Sequence, residues 1–322
     1  MSTNLHETSA IALPHWGLIR AQGADAASFL HGQLTQDVLH LGSAEARLAG
    51  YCSAKGRLLA SFVMWKPSAE EVLLACHASV LAATLKRLSM FVMRAKCQLS
   101  DATAEFELGG VCGDAARQAT AGLQPWGRSE AAGISCIRLS DASGTVRAWR
   151  VTERAGDQVL QLPPDATALA HWQRLEVESG IPVIEAATVD RFVPQMLNFE
   201  LIGAVNFQKG CYPGQEVVAR SQYRATAKRR AFLFTCDGSA MAGQEVFHSA
   251  DAGQPAGMVV NAAQRTSVAG AAASCVALIE VKLSALDAGS LHLGAADGER
   301  LTRWPMPYEV PTAVDGETGT AA

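Results

Sequence analysis

Lys209-Gly210-Cys211-Tyr212-Pro213-Gly214-Gln215-Glu216 concentrates more chemistry than any other stretch of this 322-residue chain. Cys211 becomes a nucleophile or a metal ligand once deprotonated, and Lys209 stands two residues before it. Two glycines and a proline enforce a tight, irregular backbone, since glycine reaches positive φ cheaply and proline fixes φ. The apolar–polar run after Gly214, with Glu216 in its first turn, predicts a helix to about Arg224. A thiol between an ammonium and a helix N-terminus has its thiolate, the reactive form, stabilised. The plain alternative is a small buried hydrophobe in an ordinary turn, the commoner fate of an isolated cysteine.

Arg220, Arg224, Lys228, Arg229 and Arg230 follow at once, in a chain whose net charge is −4. Two readings stand side by side. The cluster is a solvated helix end and junction, or it is an anion site for a glutamate tail or a phosphate backbone. Taken alone, Trp16 and Trp172 read as core residues. Glu178, ahead of Ser179-Gly180, reads as a surface carboxylate. Other routes to function are weaker. There is no G-x-G-x-x-G after a strand, no Walker-type loop and no G-x-S-x-G elbow. The eight cysteines include no C-x-x-C pair, and His15, His31, His40, His77 and His171 show no ligand spacing, which argues against zinc and chain-encoded iron–sulfur sites.

Hydrophobic residues make up 49% and charged residues 18% of the chain, which places it among folded globular proteins rather than disordered ones. The acidic balance argues against a surface that coats nucleic acid generally. The polar stretch from Met1 to Ala10 reads as neither signal nor transit peptide, and no apolar run reaches the roughly 18 residues that span a bilayer. With scattered cysteines suited to a reducing compartment, the expectation is a cytoplasmic protein without a disulfide framework.

The elements that position these residues are short. Leu13–Ala21 reads as a strand, and Asp25 caps a helix over 26–34. Hairpin strands follow at 47–52, 58–65 and 72–76, then a helix over 80–90, with Met90, Phe91, Val92 and Met93 as core. Further strands are expected at 105–111, 134–139, 146–151 and 158–162, with a helix over 114–121. Pro163-Pro164-Asp165 opens a helix over 166–179 that Gly180 ends. Short strands at 231–236, 257–260, 275–283 and 291–293 predict a small barrel or sandwich. Residues 262–274 read as an exposed loop, and 311–322 as a frayed tail.

The string K-G-C-Y-x-G-Q-E resembles the signature of the YgfZ family, folate-binding relatives of the glycine-cleavage T-protein. Phe192-Val193-Pro194-Gln195, Asn198, Ala227-Lys228-Arg229 and the run Phe29–Val38 resemble that family too. The resemblance implies an α+β, three-domain T-protein-like architecture around a central channel, with a C-terminal β-barrel. Its segments would be 1–45 plus 165–227 for the folate-binding domain, 46–164 for the middle domain and 228–310 for the barrel. By the same resemblance Trp16, Trp172 and Glu178 hold tetrahydrofolate or a derivative. Arg220, Arg224, Lys228 and Arg229 are then candidates for its polyglutamate or another anion. Cys211, with Lys209 beside it, is the reactive thiol and a transient contact for an iron–sulfur cluster. The partners implied are iron–sulfur enzymes such as those that thiolate tRNA, and direct tRNA binding would use the Arg220–Arg230 cluster. One departure bears on chemistry. T-proteins place an aspartate on the strand that follows an early glycine, whereas Lys55-Gly56-Arg57-Leu58-Leu59-Ala60-Ser61 carries no carboxylate to act as a base. The expectation is a folate cradle without aminomethyl transfer. The alternative is a one-carbon transferase of the T-protein kind.

Overall fold

The computed structural model describes residues 10–154, 162, 165–223, 227–265 and 274–312. After β1 (Ile11–Ala12), its first layer comprises β2 (Trp16–Gln22), α1 (Ala26–His31), β3 (Ala46–Cys52), β4 (Leu58–Ser68), β5 (Glu71–His77), α2 (Ala78–Val92) and β6 (Gln98–Asp101). Antiparallel pairing gives a five-stranded sheet in the order β3-β4-β5-β2-β6. Phe29 and Leu30 of α1 and Leu81 and Leu88 of α2 cover one face of it, against Ile19, Met64 and Leu74. The Asp25 side chain does not cap α1. Its Oδ2 accepts from the Lys96 amide at 2.7 Å and ties the helix start to the approach of β6. Met90, Phe91 and Met93 also depart from expectation, being 61%, 43% and 88% exposed. They lie beyond the Val80–Leu88 stripe that buries α2, and the helix ends at Met93 with a positive φ.

The second sheet follows from β7 (Phe106–Cys112), α3 (Asp114–Ala119), β8 (Arg128–Ala131), β9 (Ile134–Arg138) and β10 (Arg147–Glu153). Its strand order is β1-β7-β10-β9-β8. Adjacent strands β1 and β2 therefore belong to different sheets, so the start of the chain stitches the two together. β2 lies before residue 46 yet pairs with β5 and β6 after it, so the expected boundary there runs through one sheet. Most of the strand expected at 158–162 falls outside the described residues.

Helices α4 (Ala166–Glu178) and α5 (Gln215–Tyr223) lead to β11 (Arg229–Asp237), β12 (Glu245–His248), β13 (Gly257–Arg265), β14 (Ser274–Lys282), β15 (Leu291–Leu293), β16 (Glu299–Arg300) and β17 (Thr302–Trp304). These seven strands, ordered β16-β15-β12-β13-β14-β11-β17, make a nearly closed barrel, one of the two outcomes expected from the sequence. Strands β13 and β14 occupy both ends of the expected 262–274 loop, whose middle lies outside the described residues, as do 313–322. One cysteine pair departs from the expectation of scattered thiols. Cys236 and Cys275 face each other directly across β11 and β14, 5.3 Å apart at Cα, and form a disulfide. Strand register decides this, and spacing in the sequence does not carry it.

Alternation along the barrel strands sorts their side chains. Phe232, Phe234, Val259, Ala277 and Ile279 fill the barrel interior. Leu233, Val260, Val276 and Leu278 point the other way, into a core shared with Leu18 and Leu48 of the first sheet, Trp149 and Val151 of the second, and Trp172 of α4. Each such side chain taken fully out of water stabilises the fold by about 1.5–3 kcal/mol. This shared core fixes the three sheets around α4. Among the described residues, no helix is long and apolar enough to cross a membrane.

Candidate functional site

The signature loop is seated on the β3–β4 turn. Gly214 and Gly56 both adopt positive φ, +79° and +70°. A Cβ on Gly214 would stand 2.4 Å from the Ser53 carbonyl oxygen, and one on Gly56 would stand 2.8 Å from the Val217 Cβ. Only paired glycines let the two bends touch. From there α5 begins at Gln215 with Glu216 in its first turn, as the sequence predicts. Gln195 secures the far side, its Nε2 donating to the Val218 carbonyl at 2.7 Å, while Asn198 donates to the Ala231 carbonyl at 2.8 Å and anchors β11.

Cys211 is exposed, whereas Cys52 and Cys76 are buried and Cys97, Cys112 and Cys136 are partly so. Burial pushes the Cys52 and Cys76 thiols up to about 12 and leaves them inert. Lys209 reaches back to α1. Its ammonium donates to the carbonyls of His31 and of Leu34, the latter at 2.7 Å, and lies 4.9 Å from the centre of the Tyr212 ring. Burial lowers Lys209 to about 8, against the opposing pull of Asp37 and Cys211. Its first task is to bind the loop to the C-terminal end of α1, where unpaired helix carbonyls favour a cation.

That contact brings in residues the sequence analysis missed. His31 Nδ1 lies 3.1 Å from Asp37 Oδ1, and His40 Nδ1 lies 2.7 Å from Asp37 Oδ2. Burial alone would raise the Asp37 carboxyl, but the His40 amide and the two imidazoles overrule it and hold it at about 2. Sequence carries no signal for this grouping, because Lys209 and His31 are 178 residues apart.

The expected folate residues do not share one cavity. Trp172 is fully buried, and its indole lies on the backbone of β7, where a Cβ on Gly110 would come within 2.6 Å of the ring. Arg147 stacks over it, 5.6 Å from the ring centre, and burial lowers that guanidinium to about 10. Trp172 thus packs between α4 and β7. Trp16 meets Trp149 edge to face and donates its Nε1 to Glu176 Oε1 at 2.8 Å. His15 Nε2 holds the other Glu176 oxygen at 2.7 Å. Burial would raise Glu176, yet these His15 and Trp16 bonds draw its carboxyl below the usual range. Trp16, His15, His77, Glu176 and Asn261 line a cavity of about 170 Å³ where the first sheet, α4 and the barrel meet.

Glu178 faces a larger cleft of about 740 Å³, whose walls include Trp126, Asp141, Ser143, Trp304 and Tyr308. Its carboxylate is buried, with Arg174 Nη1 on one oxygen at 2.6 Å and Ser143 Oγ on the other at 2.7 Å. Gly180 ends α4 at φ +66°, and Tyr308 Oη donates to its carbonyl at 2.7 Å, closing the cleft from the C-terminal side. Ile181 lines both cavities, so they abut behind the end of α4. Trp126, Trp304 and Tyr308 were beyond sequence reasoning, since they reach the cleft from two segments well over a hundred residues apart.

The basic cluster is largely spent on internal pairs. Arg220 bonds Glu216, Arg230 bonds Glu200, and Arg229 grips both oxygens of the buried Glu280. Arg224 lies outside the described residues, and the Lys228 carbonyl receives the Leu283 amide at the start of β11. The junction reading of the cluster accounts for these contacts. Ser61 Oγ accepts the Ile184 amide at 2.9 Å.

No family model matches the chain. It is 34% identical over 318 residues to the tRNA-modifying protein YgfZ of Edwardsiella ictaluri, an alignment covering 92% of this chain and 91% of that one. The protein of the same name from Photorhabdus laumondii is 31% identical over 71% of each chain. In three dimensions the chain matches the glycine cleavage system aminomethyltransferase T of Bartonella henselae. The TM-score is 0.64 at 15% identity, covering 92% of this chain and 86% of that one, so the likeness is one of fold.

Proposed function

The chain belongs to the YgfZ family, and from that premise we propose that it binds a folate in the Glu178 cleft and acts through Cys211 in support of iron–sulfur enzymes that modify tRNA. The observation that carries the folate reading is the buried Glu178 carboxylate set in the wall of the cleft of about 740 Å³. A pterin needs apolar faces to stack on and an acceptor for its amino and ring N–H groups. Trp126, Trp304 and Tyr308 supply the faces. Glu178 supplies the acceptor, since a carboxylate offers about four lone-pair sites and two are taken by Arg174 and Ser143. The residues present thus fit the group. Trp172 supports the cleft from within the core, and Trp16 lines the adjoining cavity.

Cys211 is the thiol through which this protein would act on its iron–sulfur clients in the cytoplasm. Among the described residues, no three His, Cys, Asp or Glu side chains group as metal ligands, so a cluster at Cys211 would be shared with a client protein. The second reading, aminomethyl transfer, is favoured by the fold of aminomethyltransferase T alone. Against it, the strand position is filled by Ala60 and Ser61, neither of which can serve as a base at neutral pH.

The test is a tetrahydrofolate titration by tryptophan fluorescence and calorimetry, with wild type, Trp126→Phe, Trp304→Phe and Glu178→Gln. Saturable quenching is expected, with affinity falling about tenfold or more in Glu178→Gln through the lost charge-assisted bond. A silent wild type in both methods removes folate from the account. Cys211→Ala should keep that affinity and lose all support of a tRNA-thiolating enzyme. Tetrahydrofolate-dependent release of an aminomethyl carbon by the wild type would restore the transferase reading.

A further inference from the structure

His31 packs against the signature loop at Gly210, the residue that adjoins Cys211. Asp37 holds its Nδ1 at 3.1 Å, so with the proton on that nitrogen the Nε2 lone pair is the one left to act. Nε2 faces the loop, 3.6 Å from where a Cβ on Gly210 would stand, and Gly210 adjoins Cys211. No side chain at 210 intervenes. Lys209 clamps the other flank, through its bonds to the His31 and Leu34 carbonyls. The loop cannot leave the ring without breaking both bonds. Cys211 itself is exposed and free to turn about its Cα–Cβ bond.

We infer that His31 is the general base that takes the Cys211 proton, with Asp37 as the residue that positions its ring. The proton passes from Sγ to Nε2, leaving a thiolate beside an imidazolium whose charge Asp37 balances; no oxidant or co-reactant is involved. The charged and titratable groups facing His31 are Asp37, His40 and Lys209. Burial and the Lys209 charge lower the imidazole against the pull of Asp37, which keeps it neutral and ready to accept a proton. The arrangement also explains a lysine in the signature that bonds carbonyls: Lys209 holds the thiol's loop against the base. The inference rests on the reading of Cys211 as the working thiol.

The experiment is alkylation by iodoacetamide, in which the thiolate forms the S–C bond as iodide leaves. Cys211 is followed by peptide mass spectrometry across roughly pH 5 to 9 in the full chain. Wild type should react readily below neutral pH. His31→Gln should react about tenfold or more slowly there and recover only in alkali, with Asp37→Asn between the two. Superimposable wild-type and His31→Gln profiles, on a fast wild type, would overturn the inference and leave the reactive-thiol reading standing. A wild type no faster than a free cysteine removes both. A second measurement does not depend on the His31 variant folding. The His31 imidazole titration, read by proton NMR, should fall in Cys211→Ala because a thiolate neighbour is lost, and an unmoved titration sinks the relay.

Discussion

The signature loop and the Glu178 cleft satisfy their charges in opposite ways. At the loop, Lys209 is tied down behind the chain and Cys211 is left in the open. At the cleft, the charged atom is itself buried, and its partners Arg174 and Ser143 are brought to it. On the proposed function, the first arrangement presents a thiol to a client, so exposure serves it, and the second presents an acceptor to a ligand, so prior fixation serves it. Reactivity and affinity would then reside in separate elements, α5 with its loop and α4 with its end, and should be separable by substitution.

Trp172→Ala should have the largest effect, on the cleft side. Emptying the space between α4 and Gly110 should cost about 3–5 kcal/mol in urea unfolding and abolish folate binding. Cys211 in the molecules that remain folded should alkylate at the wild-type rate. Gly214→Ala tests the other side. A Cβ there meets the Ser53 oxygen at 2.4 Å with φ at +79°, so a loss of about 2 kcal/mol or more is expected, with altered Cys211 reactivity and intact folate affinity. Equal damage to both functions by either variant would show that the regions act as one.

Acid offers a finer probe. The folded-state pKa of Asp37 is depressed to about 2 from an ordinary 3.8, so its contribution is present above about 4 and is lost as pH falls toward 2. With His40 on the surface, the contribution is on the order of 1 kcal/mol. Wild type minus Asp37→Asn in acid unfolding should show that window, and a flat difference would deny Asp37 its imidazole partners. Smallest of all, Arg220→Gln removes an exposed pair with Glu216 and should cost no more than about 0.5 kcal/mol, with folate affinity and Cys211 alkylation unchanged.

The loop was legible from sequence because its instructions are local. Gly210, Pro213 and Gly214 specify the bend, and the residues after it specify α5. The ends of α4 were legible for the same reason, Asp165 capping the start and Gly180 ending it. What could not be read depends on tertiary partners. Nothing local announces that Trp172 rests on Gly110, 62 positions away in the chain. Arg229 and Arg230 look free until Glu280 and Glu200 arrive from elsewhere. The Met90–Met93 run is apolar enough for a core, but helix phase and the end of the sheet leave Met90, Phe91 and Met93 outside and only Val92 packed against it.

The barrel wall, apolar on both faces, bears on how this protein could have been assembled over time. Leu233, Val260, Val276 and Leu278 look outward only because the other two sheets and α4 lie against them. Cut loose, the barrel would carry a greasy exterior and seek another copy of itself. Its outer face makes it a poor module for trade between proteins.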